Sequence, residues 1–147
     1  TFNMKKNTFT FTIGIAIAFI CSILFACNND NELDIQQNFP FELHIMPVPK
    51  EIKEGQKVEI RFTIVPSGNY KNRHYNLRYF QFDGEGELQY YEDPVYHPND
   101  LYELPKEQFR LYYTSKSSVS QSFDIWISDN FGNEKQVSFQ FNSRDTN

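Results

Sequence analysis

The sequence predicts an all-β fold: one small domain built as a β-sandwich of about seven short strands. Three observations carry this expectation. Segments that alternate apolar and polar residues with a period of two recur from Phe39 to Phe141. Clusters of Gly, Pro, Asn and Asp separate them. No window shows the 3.6-residue spacing of an amphipathic helix. Several short strands with turns between them are the pattern of a sandwich.

The elements follow in order. Phe39, Phe41, Leu43 and Ile45 alternate with Pro40, Glu42, His44 and Met46, a half-buried strand. Met46-Pro47-Val48-Pro49 then withholds two N–H donors and holds the backbone extended, which marks an edge strand or a kink. Lys53-Glu54-Gly55-Gln56 reads as a turn. Val58, Ile60, Phe62 and Ile64 face one way, with Lys57, Glu59, Arg61 and Thr63 on the other, the clearest alternation in the chain. Pro66-Ser67-Gly68-Asn69 ends it.

Tyr75, Leu77 and Tyr79 alternate with His74, Asn76, Arg78 and Phe80 in the next strand. Asp83-Gly84-Glu85-Gly86 supplies a turn, after which Leu88 to Tyr91 is expected to pair back. Glu92 to Lys106 reads as a long loop, with Pro94, Pro98 and Pro105. Loops of such length often carry function. Phe109, Leu111 and Tyr113 then alternate with Arg110, Tyr112 and Thr114, and Ser115 to Ser118 turns. Phe123, Ile125 and Ile127 alternate with Asp124, Trp126 and Ser128. Asp129-Asn130-Phe131-Gly132-Asn133 is a tight connection, and Val137, Phe139 and Phe141 close the last hairpin.

Ahead of this domain lies an export segment. Lys5 and Lys6 follow the initiator expected at Met4, and Phe9 to Ala26 is an apolar run with Thr10, Thr12 and Ser22 mixed in. Two readings are open. Eighteen positions lie near the lower limit of about 17–20 for a membrane-spanning helix. The positive start, apolar middle and small residue before a cut make a secretory signal peptide. The ending favours the second: Leu24-Phe25-Ala26-Cys27 resembles the lipobox of bacterial lipoproteins. That resemblance implies a lipidated Cys27 as the first mature residue, a signal peptide over 1–26 and a polar tether over 27–38. The domain then spans 39–142, with a tail over 143–147. Several acyl chains hold stably, at about 0.8 kcal/mol per buried methylene, where one chain binds only reversibly. Asn28-Asn29-Asp30-Asn31-Glu32 resembles, in diluted form, the acidic surface-export signals of Bacteroidota lipoproteins. The expected location is therefore the cell envelope, lipid-anchored, at the outer membrane and facing periplasm or surface.

Composition narrows the function. The chain of 147 residues carries a formal charge of −5. Residues 1–26 hold only the charges of Lys5 and Lys6, so the remaining 121 residues carry −7. Such a domain is a poor ligand for a phosphate backbone, so no direct nucleic-acid contact is expected. Both cysteines, Cys21 and Cys27, precede the domain, which leaves it no disulfide. Of the 15 Phe, 9 Tyr and 1 Trp, five Phe precede Cys27, so 20 aromatic residues remain to build a core.

No catalytic constellation stands out. His44, His74 and His97 have no ligand spacing and read as surface residues. Asp83, Glu85 and Glu87 alternate as calcium ligands do, but lack the longer ladder of a calcium loop and read as solvated acids in a hairpin. No Gly-x-Ser-x-Gly elbow or Cys–His pair is present, and neither an enzyme, a metal nor a cofactor is expected. The tyrosines are more informative. Tyr90, Tyr91, Tyr96, Tyr102, Tyr112 and Tyr113 are the candidate binding surface. Neighbouring tyrosines in a strand point to opposite faces, so one of each pair is expected outside. The alternative is that they rim a core.

Two resemblances complete the reading. The segment from Ser122 to Phe141 resembles the closing hairpin of bacterial immunoglobulin-like domains, which implies the immunoglobulin-like or fibronectin-type sandwich without a disulfide. Further blocks are Asp34-Ile35-Gln36-Gln37, Phe39-Pro40-Phe41, Met46-Pro47-Val48-Pro49, Arg78-Tyr79-Phe80-Gln81 with Asp83-Gly84-Glu85-Gly86, Pro98-Asn99-Asp100, the run Phe109 to Ser115, and Asp129-Asn130-Phe131-Gly132. In this order, from Asp34 to Asn142, they resemble the TraQ family of Bacteroidota conjugative transposons. The resemblance implies an accessory role in conjugal DNA transfer, envelope proteins of the conjugation machinery as partners, and no catalytic residues. The rival expectation is a surface lipoprotein that binds glycans on an aromatic platform.

Overall fold

A computed structural model describes residues 39–145. The expected signal peptide, the tether and Cys27 lie outside the described residues. Within them the fold is all-β: β1 (Phe41–Ile45), β2 (Glu51–Ile52), β3 (Lys57–Pro66), β4 (Tyr75–Asp83), β5 (Gly86–Tyr90), β6 (Tyr102–Leu104), β7 (Gln108–Ser115), β8 (Gln121–Asp129) and β9 (Glu134–Ser143). Two sheets form, ordered β1-β3-β7-β5 and β2-β9-β8-β4-β6. This is the four-against-three plan of an immunoglobulin-like sandwich with short strands added at its margins.

The alternating segments become strands because one face of each can be buried. In β8 every odd position from Gln121 to Asp129 is buried and every even one is half-exposed. β3 and β7 pair in antiparallel register, with Ile60 opposite Leu111 and Phe62 opposite Phe109. Between the sheets, the Tyr113 ring stacks on Phe123 with centroids 4.3 Å apart, and Phe62 meets Phe139 edge-on at 6.3 Å. Ile60, Leu77, Leu88, Leu111 and Ile125 fill the core around them with no solvent exposure. Each such side chain contributes about 1.5–3 kcal/mol through burial.

One end of this core is polar. Tyr113 Oη donates to Gln121 Oε1 at 2.5 Å and accepts from Gln81 Nε2 at 2.9 Å. Gln121 Nε2 donates in turn to Ser115 Oγ at 2.5 Å. Gly86 makes room for this arrangement. A Cβ there would overlap the Tyr113 hydroxyl and ring edge.

Two expectations are corrected. The hairpin of β4 with the strand at Leu88 does not form. β4 pairs with β8 and β6, whereas β5 pairs with β7 in the opposite sheet. The turn at Asp83–Gly86 therefore carries the chain across the edge of the sandwich. It does so with Gly84 at φ 69° and with Glu85 N donating to Ser117 Oγ at 2.9 Å. The long loop from Glu92 to Lys106 also contains a strand: β6 pairs with β4, Leu104 opposite Tyr75. β2 is likewise additional and runs parallel to β9. Strands of two and three residues are too short to display a period.

Candidate functional site

The chain crosses one margin of the sandwich repeatedly, because β5 is the edge of the first sheet and β6 the edge of the second. The connection from Tyr91 to Leu101 closes over that margin. Asp93 N donates to Tyr90 O at 2.9 Å, Tyr96 N to Leu88 O at 2.7 Å, and Asn99 N to Tyr79 O at 2.9 Å. Tyr79 Oη donates to Tyr96 O at 3.3 Å, and Tyr102 Oη accepts from His97 N at 2.7 Å. The loop is thereby fastened to both sheets.

A groove of about 600 Å³ lies beneath it, lined by Tyr90, Tyr96 and Tyr102 with Pro94, Val95 and Pro105. Asp93, His97 and Glu103 complete the lining. Tyr96 and Tyr102 stack with ring centroids 4.2 Å apart and planes at 27°. Tyr90 leans on Phe109 of the core at 6.1 Å. Burial pushes the hydroxyls of Tyr90 and Tyr96 above the usual phenol range, with nearby Asp93 acting in the same direction. Both stay neutral at physiological pH and available as hydrogen-bond donors.

Five of the six tyrosines singled out from the sequence lie along one margin, where Tyr90 meets Tyr91 edge-on at 4.7 Å, and Tyr113 stands apart. Tyr90, Tyr96 and Tyr102 line the groove, though Tyr96 is only 7% exposed. Tyr91 takes a left-handed backbone, φ 47°, and its ring approaches Tyr112 at 6.3 Å. These two border a second, smaller depression with Lys57, Gln89 and Glu92. Tyr112 Oη donates to Glu59 Oε2 at 3.3 Å. Glu59 also accepts from Arg61, which holds its carboxyl below the usual range. Tyr113 is corrected: it is fully buried and belongs to the core. Its alternation with Phe109 and Leu111 was the signal, since all three lie on the inner face of β7. Pro94 and Pro105 belong to the loop that the sequence marks, whereas Asp93, Val95 and Glu103 carry no individual signal there. The signal for all of them was the proline-rich composition of the loop itself.

Other constellations do not converge. Among the described residues no group of three or more His, Cys, Asp or Glu is placed to hold a metal. Asp83 Oδ2 accepts from Ser122 Oγ at 2.9 Å, and Glu87 pairs with Lys116 at 3.7 Å. His44, His74 and His97 are exposed.

Comparison with known proteins adds independent information. The family model described as TraQ conjugal transfer protein matches residues 10–144. A conjugative transposon lipoprotein from Bacteroides eggerthii is 41% identical, with a TM-score of 0.67 over 71% of this chain and 98% of that one. A lipoprotein from Bacteroides thetaiotaomicron is 44% identical, with a TM-score of 0.68 over 80% and 90%. A conjugate transposon protein from Bacteroides vulgatus is 48% identical, with a TM-score of 0.65 over 78% and 94%. No curated protein matches the chain.

Proposed function

The chain belongs to the TraQ conjugal transfer protein family, and from that premise we propose that it is a lipid-anchored envelope protein that serves conjugation by binding another envelope protein of the transfer machinery. The family match across residues 10–144 carries the reading, because it spans nearly all of the apolar segment, Cys27 and every strand from β1 to β9. The lipoprotein relatives support anchoring through Cys27. The groove at the β5–β6 margin is the contact surface. It is concave, lined by aromatic rings and prolines, and bordered by a loop that backbone hydrogen bonds fasten to both sheets. Rigid aromatic side chains in a partly buried setting are the usual anchors of protein contacts.

The test is transfer frequency from a donor lacking the gene, complemented with wild type or with Cys27→Ala. Deletion is expected to lower transfer, wild type to restore it, and Cys27→Ala to leave it low. Unchanged transfer on deletion would remove the conjugation role. Full restoration by Cys27→Ala would remove the anchor.

A further inference from the structure

We infer that the groove takes an extended, proline-rich segment of its partner that carries an arginine or lysine. This rests on the protein-binding reading above and names the chemistry of the partner. Four observations carry it.

The first is what the lining offers. Half-buried Tyr90 and Tyr102 present rings and hydroxyls, buried Tyr96 backs Tyr102, and Pro94 and Pro105 add apolar surface. A polyproline helix has no internal hydrogen bonds and is stiff before it binds. It docks by laying its rings on aromatic ridges while its carbonyls accept from side-chain donors. Neutral tyrosine hydroxyls supply such donors.

The second is what the backbone withholds. A partner strand added to β5 would need the free edge of that strand. The Leu88 carbonyl on that edge already accepts from Tyr96 N at 2.7 Å. Strand addition to β5 is therefore obstructed at Leu88, which favours a ligand read through its side chains and isolated carbonyls.

The third is charge. Asp93 and Glu103 are both exposed and both line the groove, while no Lys or Arg is among its described lining residues. Two carboxylates beside aromatic rings select a cation on the ligand and repel an acidic peptide or an anionic lipid.

The fourth separates a peptide from a sugar. A pyranose presents a ring of hydroxyls that paired amide side chains commonly hold, and no Asn or Gln is among the described lining residues, which leaves Asp93 and Glu103 as the charged partners of a cation.

The test is an NMR titration of the isotope-labelled full chain in detergent with four probes at up to millimolar concentration. These are an eight-residue proline-rich peptide bearing one arginine, the same peptide with glutamate for arginine, a Gly/Ser peptide bearing one arginine, and cellohexaose. The arginine–proline peptide is expected to shift groove resonances (Val95, Tyr102 and Glu103), with little response to the other three. Glu103→Lys is expected to weaken that peptide by about tenfold, equivalent to about 1.4 kcal/mol, and to favour the glutamate version. Glu103 is an exposed position, so the variant keeps its fold. No shift with the arginine–proline peptide, or equal shifts with the Gly/Ser peptide or cellohexaose, would overturn the inference. Such a result leaves the protein-binding reading standing if blocking the groove still lowers transfer. Transfer indifferent to a blocked groove removes the reading itself.

Discussion

Arg73 Nε stands 3.9 Å from Asp129 Oδ2, both side chains withdrawn from solvent, and Arg73 Nε makes no hydrogen bond. The two meet as charges, and each spends its hydrogen-bonding capacity elsewhere. Asp129 Oδ1 accepts from Phe131 N at 3.0 Å and Asn133 N at 2.9 Å, which closes the β8–β9 turn. Arg73 Nη2 donates to Phe39 O at 2.7 Å, and its guanidinium lies 5.5–5.9 Å from the rings of Phe39, Tyr70 and Phe131. Arg73 thus clamps the point where the chain enters the domain to the last hairpin.

Arg73→Ala is therefore expected to cost about 3 kcal/mol in urea-induced unfolding, through lost cation–π contacts and a buried carboxylate left without its cation. Arg73→Lys keeps the charge but loses the fork, and should recover only part of that loss. Full recovery by lysine would show that charge alone matters at this site.

Gly86→Ala tests the seat of Tyr113. The added methyl overlaps the tyrosine hydroxyl and ring edge, and the ring is stacked between sheets and cannot withdraw. Overpacking of this kind costs about 1–3 kcal/mol. In the double variant with Tyr113→Phe the costs should fall short of additive, because removing the hydroxyl relieves part of the overlap. Strict additivity in thermal or urea unfolding would contradict the packing described.

Alkaline stability follows from the same residue. Burial pushes the Tyr113 hydroxyl up to about 12, partly offset by the hydrogen bond from Gln81. A raised acid keeps its proton in the folded state while the unfolded chain loses it. Stability is then intact below about pH 10 and falls as pH rises from about 10 to about 12, by on the order of 2 kcal/mol. Tyr113→Phe should lower stability at pH 7 by about 1–2 kcal/mol, since Gln81 and Gln121 lose a partner, and should flatten the alkaline decline. Denaturant midpoints measured from pH 8 to pH 12 check both halves. An equally steep decline in Tyr113→Phe would move the effect to Tyr79 or Tyr96, whose hydroxyls are raised in the same direction.

These particulars show what was legible in the sequence. β3, β7 and β8 were plain, because eight or more alternating residues leave no other period. β2 and β6 were not, since their pairing is set by partners distant in the chain. The same limit misassigned β5. Asp83-Gly84-Glu85-Gly86 announces a turn in either topology, and only the packing of Leu88 opposite Tyr113 decides which sheet receives the strand. The groove was half legible: the proline-rich loop marked its place. That Tyr90 and Tyr102, on opposite sheets, wall the same space needed the fold.

Transfer frequency from a donor carrying Val95→Arg tests the central claim most directly. Val95 is exposed and lines the groove, so arginine there fills the groove without disturbing the core. The account predicts transfer as low as in the deletion strain, with melting temperature and membrane abundance unchanged. Wild-type transfer from that donor would show that the groove is not where this protein works.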